Sequence, residues 1–309
     1  MEIKGKVVFS SGKAGDYDIW VLDLVSQRLS QLTSGPYCNE CPRWSPDGKE
    51  IVYISNKTGT PEIWVMDETG GDQKRITETG RWHGTPSWSP DGKSLVFCAN
   101  YDDSNVDVYT MKTDGTGLER ITDYKEIDST PEYSPDGCKI IFTSRRSGND
   151  DIWTYDLQTK ELAQLTDYKG RDSSPAYSPD GNKIAFLRDV EMSSEAENLE
   201  IYIMDKDGQN AVRITDNPGA DKYVRWSPDG QFLIYTASRA QSAAERLVVI
   251  DLQHKEFGRL LFDRTPLENE IDAHPKAYIG LFSLIPESLV RKTYPDGYFG
   301  TERWPDWKF

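Results

Sequence analysis

Short apolar runs separated by polar turns recur along the whole chain. Ile51-Val52-Tyr53-Ile54, Leu95-Val96-Phe97-Cys98, Ile140-Ile141-Phe142-Thr143, Ile184-Ala185-Phe186-Leu187 and Phe232-Leu233-Ile234-Tyr235 each follow a Pro-Asp-Gly breaker. A polar loop leads to a second run, such as Glu62-Ile63-Trp64-Val65-Met66-Asp67 or Asp151-Ile152-Trp153-Thr154-Tyr155-Asp156. A turn then gives a short third run ending in threonine: Arg75-Ile76-Thr77, Arg120-Ile121-Thr122, Gln164-Leu165-Thr166, Arg213-Ile214-Thr215. With the stretch ahead of the Pro-Asp-Gly, each unit holds four predicted strands. Their apolar residues fall on both faces, so each sheet must be covered on both sides. Helical spacing occurs nowhere at comparable length.

The punctuation repeats with the strands. Trp44-Ser45-Pro46-Asp47-Gly48 returns at Trp88–Gly92, Tyr133–Gly137, Tyr177–Gly181 and Trp226–Gly230, and the aromatic positions lie 44, 45, 44 and 49 residues apart. Four short antiparallel strands every forty-odd residues describe a propeller blade. Pro presets φ at the first turn position, Asp tolerates the next, and Gly supplies the positive φ that closes the hairpin.

Five complete units are present, and residues 6 to 33 carry the later strands of a sixth without its leading strand. "IDAHPKAYIG", residues 271 to 280, matches a leading strand with nothing after it. The chain therefore reads as an all-β, six-bladed propeller over 1–280. In this reading 271–280 pairs beside the first blade to close the ring and remove free sheet edges. Residues 281–309, with Tyr294, Tyr298, Phe299, Trp304, Trp307 and Phe309, read as an aromatic-rich tail packed on the propeller, or alternatively as an exposed peptide for a partner.

The phrases "TPSWSPDGKSLVF", "SSPAYSPDGNKIAF" and "EIWVMDETGGDQKRIT" resemble the repeat of the TolB-type propeller family, to about residue 280. That resemblance implies the six-bladed fold but leaves function open. Propellers of this kind serve as protein-docking platforms, as gates fused to serine peptidases and as scaffolds of oligogalacturonate lyases.

Composition narrows the choice. A net charge of −15, from 51 acidic and 36 basic residues, argues against a nucleic-acid backbone as partner. No stretch approaches a membrane span. The N-terminus "MEIKGKVVFSS" has no apolar signal core, so the chain as written reads as cytoplasmic; an exported, periplasmic protein trimmed of its leader would read the same. Cys38 and Cys41 form a lone C-x-x-C, short of a zinc site, and Cys98 and Cys138 lie too far apart along equivalent strands for a disulfide. There is no G-x-S-x-G, H-E-x-x-H or Walker loop. Three histidines, His254 among them, are too few for the histidine-rich metal site of the lyase relatives.

Blade topology sends the connectors between units, and the loops after each second strand, to one face. The Pro-Asp-Gly turns lie on the other face, where tight hairpins leave little room for a site. On the open face a polar residue recurs three positions before the repeat Pro: Asn39, His83, Asp128, Asp172 and Asp272, with Asp221 in the matching place before Val224. Carboxylates about 8 Å apart repel by roughly 2 kcal/mol at an effective dielectric near 20. Such a ring should recruit a cation, borrow a basic side chain, or hold raised pKa values; alternatively each Asp caps its own loop. His274 lies at the same rim, and Arg145, Arg146, Arg188 and Arg239 fall in the open-face loops, where they either grip acidic ligands or bridge blades. The longer loops "RDVEMSSEAENL" and "SRAQSAAER" raise one side of that face. The reading that follows is a noncatalytic scaffold that binds a protein or peptide at the channel mouth without a cofactor. Its rival is a carbohydrate-active propeller, resembling oligogalacturonate lyase, that uses the acidic ring with or without a divalent cation.

Overall fold

The structure is a computed structural model. It describes residues 5–12, 16–26, 28–102, 105–191, 198–216, 219–238 and 245–253, and the backbone of a strand at 302–308. Blade one contains β1 (Lys6–Ser11), β2 (Asp18–Asp23) and β3 (Arg28–Gln31). Blade two contains β4 (Asn39–Trp44), β5 (Glu50–Ser55), β6 (Glu62–Asp67) and β7 (Lys74–Arg75). Blade three contains β8 (His83–Trp88), β9 (Ser94–Ala99), β10 (Asp107–Lys112) and β11 (Glu119–Arg120). Blade four contains β12 (Asp128–Tyr133), β13 (Lys139–Ser144), β14 (Asp151–Asp156) and β15 (Leu162–Gln164). Blade five contains β16 (Asp172–Tyr177), β17 (Lys183–Asp189), β18 (Leu199–Asp205) and β19 (Val212–Arg213). Blade six contains β20 (Asp221–Trp226), β21 (Phe232–Ser238) and β22 (Glu245–Asp251) among the described residues. All pairings are antiparallel. No helix occurs among the described residues.

The ring closes, but with a different segment from the one expected. β23 (Glu302–Lys308) pairs with β1, giving the sheet order β23-β1-β2-β3, and lies against β4 on one side and β20 on the other. The place assigned to 271–280 is thus taken by part of the segment read as a tail; 271–280 itself lies outside the described residues. The reason is visible in the register. Every innermost strand carries a bulge, between Glu40 and Arg43, Gly84 and Ser87, Ser129 and Glu132, Ser173 and Ala176, and Lys222 and Arg225. The residue inside it adopts positive φ: Cys41 at 57°, Thr85 at 46°, Thr130 at 50°, Ser174 at 53° and Tyr223 at 58°. β23 shows the same shift, with Arg303 opposite Ser10 and Asp306 opposite Val8. The bulge fixes a spacing of two from Pro to the following aromatic, as in Pro42 to Trp44, and Pro305 to Trp307 keeps it. Pro275 has Ala277 there, with its tyrosine one residue late. A proline is tolerated at this point because an innermost strand is a sheet edge and the bulge interrupts the ladder.

The Pro-Asp-Gly phrase is a five-residue connection in which Ser and Asp both act. In blade two, Gly48 has φ 65° and donates its N–H to Ser45 O at 2.8 Å. Ser45 Oγ donates to Asp47 Oδ1 at 2.8 Å and accepts from Glu50 N at 2.9 Å, while Lys49 N donates to Asp47 Oδ1 at 3.1 Å. The same set recurs at Ser89, Ser134, Ser178 and Ser227. The serine donor is the main reason that the exposed Asp47 and Asp180 carboxyls are lowered to about 2. The core runs between blades: Val8, Ile19, Ile51 and Met66 join blades one and two, and Val52, Ile63, Leu95 and Phe97 join blades two and three.

Candidate functional site: the channel mouth and its carboxylate rows

Asn39, His83, Asp128, Asp172 and Asp221 each open the innermost strand of their blade, as expected, but none of them faces solvent. All are buried, Asp128, Asp172 and His83 completely. By register, Glu302 takes the sixth place, opposite Ser11 as Asn39 is opposite Ser55. Asp272, His274 and Arg239 lie outside the described residues.

Two of the ring acids borrow basic side chains from their own blade. Arg188 grips Asp172 with two bonds, Nε and Nη2 each at 2.7 Å, and its guanidinium is flanked by the Tyr168, Phe186 and Tyr202 rings at 4.3, 5.3 and 4.8 Å. Arg146 Nη2 donates to Asp128 at 2.8 Å and packs against Tyr124, Phe142 and Trp153. Arg145 instead pairs with Asp150 in its own loop at 2.6 Å. These arginines therefore pair with acids of their own blades rather than bridging between blades.

His83 is held by carbonyls and a phenol. Its Nδ1 donates to Arg81 O at 2.9 Å, and Nε2 accepts from Tyr101 Oη at 2.9 Å. Burial lowers its pKa below the ordinary 6.5, against the pull of Glu62 at 3.3 Å, so the imidazole is neutral near pH 7.

A second row of acids went unread in the sequence: Asp18, Glu62, Asp107, Asp151 and Glu200, each starting or nearly starting the third strand of its blade and each buried. They explain the recurrent threonines. Thr33 Oγ1 donates to Asp18 at 2.9 Å and accepts from Ile19 N at 2.8 Å. Thr77, Thr122 and Thr166 repeat this double bond with Glu62, Asp107 and Asp151. The residue two before each threonine also donates to the acid: Gln31 at 3.0 Å, Arg75 at 3.1 Å, Arg120 at 2.6 Å, Gln164 at 3.2 Å and Arg213 at 2.9 Å. Each latch ties the outermost strand to its neighbour. The signal was present as constant offsets of 13 and 15 residues from acid to Arg or Gln and to Thr.

A third offset, 21 residues, links each latch acid to the ring residue of the next blade: Asp18 with Asn39, Glu62 with His83, Asp107 with Asp128, Asp151 with Asp172. Asn39 Nδ2 donates to Asp18 Oδ1 at 3.2 Å. Burial raises the pKa of Asp107 and of Asp151, and the neighbouring carboxylates of Asp128 and Asp172 add to the rise. Asp128 Oδ1 is buried and meets no donor. Among the described residues no group of three or more His, Cys, Asp or Glu is placed to hold a metal ion.

All four cysteines are free. Cys41 and Cys98 are buried, and burial pushes both thiols up, that of Cys98 to about 11, which disfavours the thiolate. No helix among the described residues is long and apolar enough to cross a membrane.

At the opposite end of the channel, where the tight turns were expected to leave little room for a site, a cavity of about 220 Å³ lies among the residues just ahead of the Pro-Asp-Gly turns.

The repeat matches the family model described as the TolB beta propeller domain over residues 4–100 and 81–166, more than half of the chain. The chain belongs to the TolB β-propeller family. A second model, the Tricorn protease N-terminal beta propeller domain, matches 147–279. Among solved structures, this TolB-type propeller is similar to TolB from Acinetobacter baumannii, with 25% identity and a TM-score of 0.73 over 98% of this chain, which spans only 66% of that one. A structure described as TolB from Agrobacterium tumefaciens shares 20% identity, with a TM-score of 0.66 over 81% of this chain and 85% of that one. An oligogalacturonate lyase in complex with manganese shares 16% identity and a TM-score of 0.55, over 84% and 74% of the two chains, a likeness of fold alone. A comparison with curated proteins gave no match.

Proposed function

We propose that this TolB-type propeller is a noncatalytic scaffold that binds a protein or peptide at the channel-mouth face. One observation carries this reading. The ring residues are withdrawn into the blades, whereas the residues immediately before two of them, His83 and Asp128, are presented outward: Trp82 is 41% exposed and Ile127 42%. They stand on the connectors into the innermost strands of neighbouring blades. The Trp82 indole lies across Gly84, where an added Cβ would come within 2.5 Å of the ring. An exposed indole set immediately ahead of an innermost strand is the kind of anchor that protein interfaces favour. The fold neighbours include TolB proteins and a chain from a nidogen–laminin complex, the latter at 13% identity and alike in fold alone.

The carbohydrate-active alternative draws less support. It needs ring carboxylates open to a substrate, and Asp128 and Asp172 are buried and engaged by Arg146 and Arg188. The test is capture of partners from native lysate with wild type and with the Trp82→Ala/Ile127→Ser double variant. A partner retained by wild type and lost by the variant, with the unfolding midpoint little changed, is the expected result. Equal capture by both proteins would remove this surface from the reading, and turnover of acidic oligosaccharides would replace the reading with its rival.

A further inference from the structure

We propose that the channel binds a small organic carboxylate with a flat apolar body at its Pro-Asp-Gly end, where Arg225 receives the carboxylate. The cavity there holds about 220 Å³, roughly the liquid volume of seven waters. Trp44, Tyr177 and Trp226 contribute ring surface to its wall, and Arg43, Arg225 and Glu132 contribute charge.

Most polar groups around it already have partners. Trp226 Nε1 donates to Ala176 O at 3.0 Å, and Glu132 Oε1 accepts the Tyr177 N–H at 3.1 Å. Arg225 is the charged group left with an unmet donor. It is only 8% exposed, Nη1 donates to Val224 O at 2.5 Å, and the buried Nε meets no acceptor. A buried guanidinium with unmet donors is costly, and an anion in the cavity offsets that cost.

The lining also limits the kind of anion. A planar guanidinium fork matches a carboxylate. The Glu132 carboxylate in the same wall, on a chain of net charge −15, opposes a doubly charged anion such as phosphate. Aromatic walls favour a flat, apolar remainder of the ligand.

The test uses the full chain and benzoate, with benzyl alcohol as the uncharged counterpart and inorganic phosphate as the competing anion, followed by calorimetry and ligand-observed NMR. Saturable benzoate binding is expected, with benzyl alcohol and phosphate weaker by about tenfold or more, and a similar loss in Arg225→Gln. Arg225→Lys, which keeps the charge without the fork, should fall between. The comparison of ligands on wild type stands even where a variant fails to fold. Absence of saturable binding, equal binding of benzoate and benzyl alcohol, or undiminished binding by a folded Arg225→Gln protein would each overturn the site. Because the register brings Asp306 to the innermost-strand position equivalent to Arg43 and Arg225, an Asp306→Asn arm is included. Binding seen only in that variant would show that the chain's own closing strand fills the place, which also overturns the proposal.

Discussion

The junctions on the two sides of blade three solve one problem differently. Where blades one to three meet, the latch acid of one blade faces a neutral partner on the next: Asp18 receives a bond from Asn39, and Glu62 faces an uncharged His83. Where blades three to five meet, the latch acid faces a second carboxylate, and an arginine caged by aromatic rings is added to hold it. The backbone framework is the same on both sides, down to the 21-residue offset. Thus the ring position does not demand a charge. It demands a polar group whose hydrogen bonds are met on burial, and at Asp128 and Asp172 that includes an arginine, Arg146 or Arg188.

The contrast is best broken at its most expensive pair. Arg188→Met leaves Asp172 charged, buried and alone, and should cost about 3–5 kcal/mol. Arg188→Met combined with Asp172→Leu should recover much of that loss, because both charges go together. Urea unfolding of the three proteins measures it; a single variant as stable as wild type would mean that water reaches Asp172.

A smaller effect comes from converting one kind of junction into the other. Asn39→Asp places a second carboxylate beside Asp18 with no arginine to receive it, so a loss of about 2 kcal/mol is expected near pH 7. The loss should shrink on acidification, as the pair takes up a proton. A loss independent of pH would point to steric disruption instead.

The smallest effect is in the pH profile of the native protein, where His83 and the raised latch acids Asp18, Asp107 and Asp151 have opposite signs. Asp107 and Asp151 are raised above 3.8, so the folded chain keeps protons that the unfolded chain has released. Their contribution falls as pH rises from about 3.8 through the folded values. His83 is lowered below 6.5, so the unfolded chain takes up its proton first and stability falls as pH drops below 6.5. Glu62, lowered below 4.5 because hydrogen bonds outweigh its burial, adds a loss below that value. Denaturation midpoints from pH 8 to 4 should therefore flatten near pH 6 in His83→Gln, and in the acid range alone in Asp107→Asn. Unchanged slopes in both variants would refute the assignment.

Much of this architecture could be read from the chain because each blade repeats its turn. The Pro-Asp-Gly turns, the six blades and the five ring positions follow from residues that are close in sequence. The closing strand was misplaced because the bulge that defines an innermost strand shows in sequence only as a two-residue gap between Pro and aromatic, which Pro305 and Trp307 keep and Pro275 does not. The latch acids were missed for a related reason. Asp and Glu interchange there, as do Arg and Gln opposite them, so composition conceals a position that the fixed offsets reveal. Burial of the ring was hidden because the arginines that neutralise it arrive from the next strand or loop along, 16 to 18 residues away.

The pairing of Glu302–Lys308 with Lys6–Ser11 has a consequence in time. At about 5–20 residues per second, the ribosome needs some fifteen seconds or more to reach the closing segment after making its docking edge. Throughout that interval β1 offers unmet backbone donors and acceptors to any extended peptide nearby, including the same segment of a neighbouring nascent chain. Crowded translation should therefore favour strand-exchanged pairs of molecules, while a dilute, slow synthesis lets each circle complete itself.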